Sequence, residues 1–104
     1  MIDLCNARVN ASAKMHGWAS GHDYRCAWLV ECLNRHTADD WGDIDPHDQA
    51  ANTRAITNSD GRIISAYPVP AHLAGGNPDP TVWIITDDLD QPPTTTTVLF
   101  PSDY

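Results

Sequence analysis

The chain has 104 residues, of which 41% are hydrophobic, and a formal net charge of −8 at pH 7. This length predicts one domain, residues 1–104, built around a single core. Fourteen acidic residues against six Lys and Arg disfavour direct binding of DNA, RNA or an anionic membrane through a basic face, and they favour a basic protein partner.

The cysteines and the N-terminus predict a cytoplasmic protein. Cys5, Cys26 and Cys32 form an odd set, and the last two lie about 9 Å apart along the axis of one predicted helix, too far to form a disulfide. The N-terminus shows no basic segment followed by an apolar run, and no segment approaches the length that spans a membrane. We therefore expect reduced thiols in a reducing compartment.

The first half of the chain predicts one short strand and two helices. Weak alternation places the strand within residues 5–9, and the glycines of residues 16–21 favour a loop. Apolar side chains at three-and-four spacing predict a helix over residues 22–36. Asp45 followed by Pro46 is a typical helix start, so the second helix is predicted over residues 46–57.

The second half of the chain predicts three strands, over residues 62–67, 81–86 and 94–100. The connections are short and contain no helix, so an antiparallel meander is expected. The predicted fold class is α+β: two helices packed on one face of a three- to four-stranded antiparallel sheet, in the order (β)ααβββ.

The middle strand is apolar on both of its faces. Trp83 and Ile85 point one way and Val82, Ile84 and Thr86 the other. We therefore expect the second face to be partly covered, either by the N-terminal segment or by another copy of the protein as a homodimer.

The chain is acidic from the end of the first predicted helix to the turn after the second. Residues 39–60 hold six Asp against Arg54 alone, and no Lys or Arg follows Arg62. Trp41 within this segment is predicted to close the helical corner, with its indole N–H bonded to a carboxylate or carbonyl.

Carboxylates spread over one surface can imitate the phosphates of a nucleic acid, provided that the two acidic segments, residues 39–60 and 79–90, lie side by side. The alternative is that the charge only keeps a small protein soluble. The candidate partner-binding residues are Asp39, Asp40, Trp41, Asp43, Asp45, Asp48, Asp87, Asp88 and Asp90.

Enzymatic sites are the alternative hypothesis. Asp40 and Asp43 with His36 could hold a metal, although the acidic stretch does not fit a calcium-binding EF-hand loop. Cys32 and His36 lie four positions apart on the predicted helix and could form a thiolate pair. His22 and Cys26 have the same spacing, but the two pairs cannot share one zinc ion. No catalytic residue, metal ligand or cofactor is assigned from these patterns.

Several blocks in residues 34–104 match a known pattern. Arg35 and His36 precede the block DWGD, which starts at Asp40. Four further blocks follow along the chain: GR, SAY, WIIT and TT-x-LFP-x-DY. With these blocks the chain resembles a family of short proteins of plasmids, integrative elements and phages, often labelled plasmid-related. The first third departs from that pattern, and the Pro- and Gly-rich stretch at residues 68–80 is longer. The matching residues are Arg35, His36, Asp40, Trp41, Gly42, Asp43, Asn52, Gly61, Arg62, Ser65, Ala66, Tyr67, 83–86, Thr96, Thr97, 99–101, Asp103 and Tyr104.

The resemblance implies a genetic context and no established activity. Small acidic proteins of mobile DNA frequently inhibit host defence, as anti-CRISPR and anti-restriction proteins do. Together, charge and context predict a non-enzymatic protein that covers a basic nucleic-acid-binding surface of a host defence nuclease or CRISPR effector. Small metal- or thiol-dependent enzymes and structural homodimer subunits are the alternatives.

Overall fold

A computed structural model of the chain describes residues 8–74, 81–91 and 94–103. The helices are α1 (Ala13–Ala19), α2 (Asp23–Thr37) and α3 (Pro46–Asn58). The strands are β1 (Arg8–Ala11), β2 (Ile63–Pro68), β3 (Thr81–Asp87) and β4 (Thr95–Leu99). Two short 3₁₀ helices, Ala71–Leu73 and Pro101–Asp103, complete the described elements. The α+β class is confirmed, and no helix in these ranges is long and apolar enough to cross a membrane.

Helix α1 lies where a loop was predicted. The Ser12 hydroxyl caps it by accepting the Met15 N–H at 3.1 Å, as N-cap serines do. Met15 is 1% exposed and Trp18 8%. Burial of these two side chains outweighs the roughly 1 kcal/mol by which Gly17 disfavours a helix, so the loop prediction for residues 16–21 was wrong over most of its length.

The sheet is mixed, in the order β1-β4-β3-β2. Strands β2, β3 and β4 form the predicted antiparallel meander. Strand β1 pairs with β4 in parallel, so the purely antiparallel prediction was wrong. Strands β1 and β4 are the first and last strands of the chain. No hairpin turn joins them, so nothing requires them to pair in an antiparallel direction. Of the residues predicted as this strand, 5–7 lie outside the described ranges.

The prediction that the two longer helices pack on one face of the sheet is wrong. Helices α1 and α2 cover the face that carries Val82, Ile84 and Val98. Helix α3 instead lies along the outer edge of β2, where Asn52 accepts the Ile64 N–H at 3.1 Å and donates to the Ile64 C=O at 2.8 Å. On the opposite sheet face Ile85 is 4% exposed and Trp83 is half-buried. Coverage of that face by a second copy stays a prediction.

Candidate functional site

The acidic corner, residues 39–48, begins where α2 ends. Asp39 has the left-handed φ of 64°, which Asp tolerates better than most residues. The Asp39 N–H donates to His36 C=O at 3.4 Å, and the Asp40 N–H donates to Arg35 C=O at 2.9 Å. These two bonds form a Schellman-type helix end and turn the chain sharply towards the sheet.

The corner is joined to the sheet by backbone hydrogen bonds to β2. The Ala66 N–H donates to Trp41 C=O at 3.0 Å, and the Asp43 N–H donates to Ala66 C=O at 2.7 Å. Gly42 lies between them with φ of 71°, and a Cβ at this position would collide with the Ala66 carbonyl oxygen. Only glycine satisfies both requirements, so Gly42 fixes the approach of the corner to β2.

Tyr67 holds the corner from within the core. Its side chain is 0% exposed, and its hydroxyl donates to the Asp40 C=O at 2.6 Å. Arg35 lies over the ring, 4.7 Å from its centroid, and donates to both Asp40 carboxylate oxygens at 2.8 and 3.3 Å. Burial raises the pKa of Tyr67 to about 12, and the hydrogen bond from Arg35 lowers the pKa of Asp40. Because the Asp40 carboxylate is exposed, that ion pair contributes little stability.

The last part of the corner is the start of α3. The Asp45 carboxylate accepts the Asp48 N–H at 2.8 Å, and Pro46 occupies the first turn. The predicted helix start is confirmed. Asp45 therefore combines a structural role as N-cap with an exposed negative charge.

The candidate residues of the corner differ in exposure. Asp39, Asp40, Asp43 and Asp45 are exposed. Trp41 is half-buried, and its indole Nε1 is buried without a hydrogen-bond partner among the described residues. The predicted bond from this indole to a carboxylate or carbonyl was therefore wrong. Asp48 is half-buried.

The second acidic segment lies at the opposite end of α3. Asp87 ends β3, and Asp88 begins a turn with φ of 62°. The Leu89 N–H lies 3.5 Å from the Gly61 C=O, next to the C-terminal end of α3. Thirteen helical residues span roughly 20 Å, so Asp87, Asp88 and Asp90 are not side by side with Asp45.

The thiol pair that the sequence offered is not assembled. His36 is 0% exposed, with Nε2 bonded to the Thr86 hydroxyl at 2.8 Å and Nδ1 to the Ser65 hydroxyl. Neither ring nitrogen is left to accept a proton from Cys32. Burial raises the pKa of the Cys32 thiol to about 12 and lowers that of His36 to about 4. Cys32 thus behaves as a small buried hydrophobic residue.

The metal alternatives are not assembled either. His36 lies in the core, whereas Asp40 and Asp43 are exposed. Cys26 donates its thiol to the Ala19 C=O at 3.2 Å. Within the described part of the chain, no three His, Cys, Asp or Glu residues are grouped so that they could hold a metal ion.

The sequence patterns did not predict the buried polar side chains that surround His36. Ser65, Thr86 and Thr96 are 0% exposed, and the Thr86 and Thr96 hydroxyls lie 2.9 Å apart. All three lie on the face that carries Val82 and Ile84, as the strand register shows. Polar residues at inward strand positions were the signal that could have found this network.

Comparison of this chain with protein-family models, with curated proteins and with solved structures finds no significant match.

Proposed function

We propose that this protein is a non-enzymatic interaction protein whose acidic corner binds a basic, nucleic-acid-binding surface of a partner protein. The observation that carries the proposal is the corner itself. Its exposed carboxylates belong to a segment whose backbone is hydrogen bonded to both backbone polar groups of Ala66 and to the Tyr67 hydroxyl. The backbone positions that carry the negative charges therefore keep a fixed relative arrangement before the partner binds.

A fixed arrangement favours binding because less conformational entropy is lost on association. It also creates a local negative potential that accelerates encounter with a positive surface. Arg35 partly offsets the charge of Asp40. The main contributions are therefore assigned to Asp39, Asp43 and Asp45, with Trp41 beside them as a half-buried aromatic contact.

The partner that we propose is a host defence nuclease or CRISPR effector, because the chain resembles plasmid-related proteins of mobile DNA. Such a partner carries a basic groove for nucleic acid. Engagement of both acidic segments would require this groove to extend roughly 20 Å, the length of α3. A shorter partner surface would use the acidic corner alone.

The first test is capture of partners by the immobilised chain. The variant Asp39→Asn with Asp43→Asn removes two charges from the corner, and asparagine tolerates the left-handed backbone at position 39. The matched control, Asp23→Asn with Glu31→Gln, removes two exposed charges from α2. Nuclease-treated bacterial lysate is applied in about 0.05 M and about 0.3 M salt.

We expect wild type and control to retain a DNA- or RNA-binding protein at low salt, and the corner variant to bind it at least about tenfold more weakly. Addition of the wild-type chain should then release labelled nucleic acid from the purified partner. Equal retention by all three proteins, or a captured protein that keeps its nucleic acid, would refute the proposal.

A further inference from the structure

Strand β1 forms an open edge of the sheet, whereas the opposite edge is closed. The outer side of β2 is hydrogen bonded by Asn52 and by the acidic corner. Strand β1 pairs with β4 on one side, and no strand in the described ranges lies on its other side. An open edge presents backbone N–H and C=O groups that can pair with another strand.

The register of β1 shows which of its backbone groups point outwards. The Ser12 N–H donates to the Val98 C=O at 3.0 Å, so the backbone at Ser12 faces β4. Because successive residues of a strand direct their backbone groups to opposite sides, Asn10 also faces β4. Val9 and Ala11 therefore direct their N–H and C=O groups away from the sheet.

An apolar groove of about 450 Å³ lies beside this edge, between β1, α1 and α2. Val9 and Ala11 lie on the helix-covered face of the sheet, because their partners on β4 do so. Leu29 and Leu33 of α2 form the opposite wall. Val30 is 56% exposed and neighbours Leu33 on the helix surface. A strand added along β1 would direct alternate side chains towards this groove.

The groove is uncharged, although the chain has a formal net charge of −8. No Asp, Glu, Lys or Arg is found among its described lining residues. The acidic corner is bonded to β2, at the other edge of the sheet. If two sheets join through β1, seven strand spacings separate the two β2 strands, roughly 34 Å in total. This distance exceeds the Debye length of about 8 Å at about 0.15 M salt, so the two corners repel each other only weakly.

Strand β1 is complementary to a second copy of itself. In an antiparallel pair centred on Asn10, Val9 lies opposite Ala11 of the second copy, and the outward N–H and C=O groups of both residues become paired. A stable dimer buries about 800 Å² on each copy, which is more than a strand of four residues can provide. The surface of α2 around Val30 must therefore contribute to the interface.

We propose that this protein forms a two-fold symmetric dimer in which the β1 strands of two copies pair antiparallel about Asn10 and the α2 helices pack together through Val30 and Leu33. The two four-stranded sheets then form one continuous sheet. Val9 of each copy lies beside Ala11 of the other and covers part of its groove. The dimer is independent of the proposed function, because it uses the edge of the sheet opposite the acidic corner.

The first measurement is molar mass by light scattering and sedimentation, at up to about 0.1 mM chain. The wild-type mass should approach twice the 11.4 kDa of one chain. Val30→Lys brings two like charges together across the two-fold axis, so it should raise the dimer Kd at least about tenfold. The matched control, Ile56→Lys, changes an exposed apolar side chain of α3 and should leave the Kd unchanged. Circular dichroism should show that both variants remain folded.

The second measurement tests the register of the paired strands. Asn10 lies directly opposite itself in a non-hydrogen-bonded pair, with a Cα–Cα distance of about 4.5 Å, which a disulfide can bridge. In a Cys5→Ser and Cys26→Ser background, Asn10→Cys should cross-link two copies under mild oxidation. Ile56→Cys in the same background should not. Amide exchange of Val9 and Ala11 in the wild type should become slower as the protein concentration rises.

Three results would each overturn the inference. A single-chain mass with exchange at Val9 and Ala11 that is slow at every concentration would mean that the same chain covers the edge. A single-chain mass with fast exchange at both amides would leave the edge to a different protein. A dimer mass without the Asn10→Cys cross-link would place the interface on another surface. The capture experiment on Asp39 and Asp43 decides the proposed function separately in every case.

Discussion

At the scale of single residues, the buried imidazole of His36 makes stability depend on pH. Both of its nitrogens are bonded inside the core, and burial lowers its pKa to about 4. An unfolded His has a pKa of about 6.5. The unfolded state therefore binds a proton before the folded state does, and the stability present above pH 6.5 falls as the pH decreases towards 4.

We expect wild type to lose roughly 2–3 kcal/mol of unfolding free energy between about pH 7 and about pH 4.5 from this residue. The carboxyl pKa values of Asp40 and Asp103 are lowered, so their contributions are lost mainly at more acidic pH. Urea unfolding at the two pH values, with an NMR titration of His36, makes the measurement. Titration of His36 near pH 6.5 would contradict the prediction.

At the scale of elements, the outer edge of β2 is closed by side-chain and loop groups in place of a further strand. Asn52 of α3 satisfies the Ile64 backbone, and the acidic corner satisfies that of Ala66. Closing an edge in this way prevents pairing with another chain. The corner therefore protects the sheet as well as presenting its charges.

Asn52→Ala should destabilise the protein by roughly 2–4 kcal/mol, because Ile64 loses partners for both of its backbone polar groups. Thr53→Ala is the control on the same helix, since Thr53 is exposed and its hydroxyl donates to the Gln49 carbonyl of the preceding turn. Its effect should stay within about 0.5 kcal/mol. The comparison is made by urea unfolding, and equal midpoints for the two variants would show that the edge bonds contribute nothing.

At the scale of the whole molecule, acidic residues are concentrated near the two ends of α3. The basic residues Lys14, Arg25 and Arg35 belong to α1 and α2, and α2 also carries Asp23 and Glu31. The acidic corner and the turn at residues 87–90 flank the two ends of α3. With a formal net charge of −8, repulsion among carboxylates opposes the folded state.

Salt should therefore stabilise the protein. Raising NaCl from about 0.02 M to about 0.3 M screens the repulsion, so the urea midpoint of wild type should increase. The Asp39→Asn and Asp43→Asn variant should show a smaller increase, because part of the repulsion is already removed. A midpoint that decreases with salt would mean that favourable ion pairs outweigh the repulsion.

Much of the secondary structure could be predicted from local patterns. Helix α2, the Asp45 start of α3 and the meander of β2, β3 and β4 follow from periodicity, capping chemistry and β-branched runs, which act over a few residues. The acidic character of residues 39–48 and 87–90 was also visible in the sequence. These features require no knowledge of distant contacts.

Tertiary structure alone decided the rest. Helix α1 forms because Met15 and Trp18 are buried. Strand β1 pairs in parallel with β4, which is distant in the sequence, so local patterns could not predict the pairing. His36 does not form a reactive pair with Cys32 or Asp43, because both of its ring nitrogens are hydrogen bonded to the hydroxyls of Ser65 and Thr86. These two residues lie 29 and 50 positions away in the sequence. The sequence by itself determined which charges and periodicities exist. The tertiary structure determined which polar groups meet, because burial and hydrogen bonding between distant residues depend on how the helices pack on the sheet.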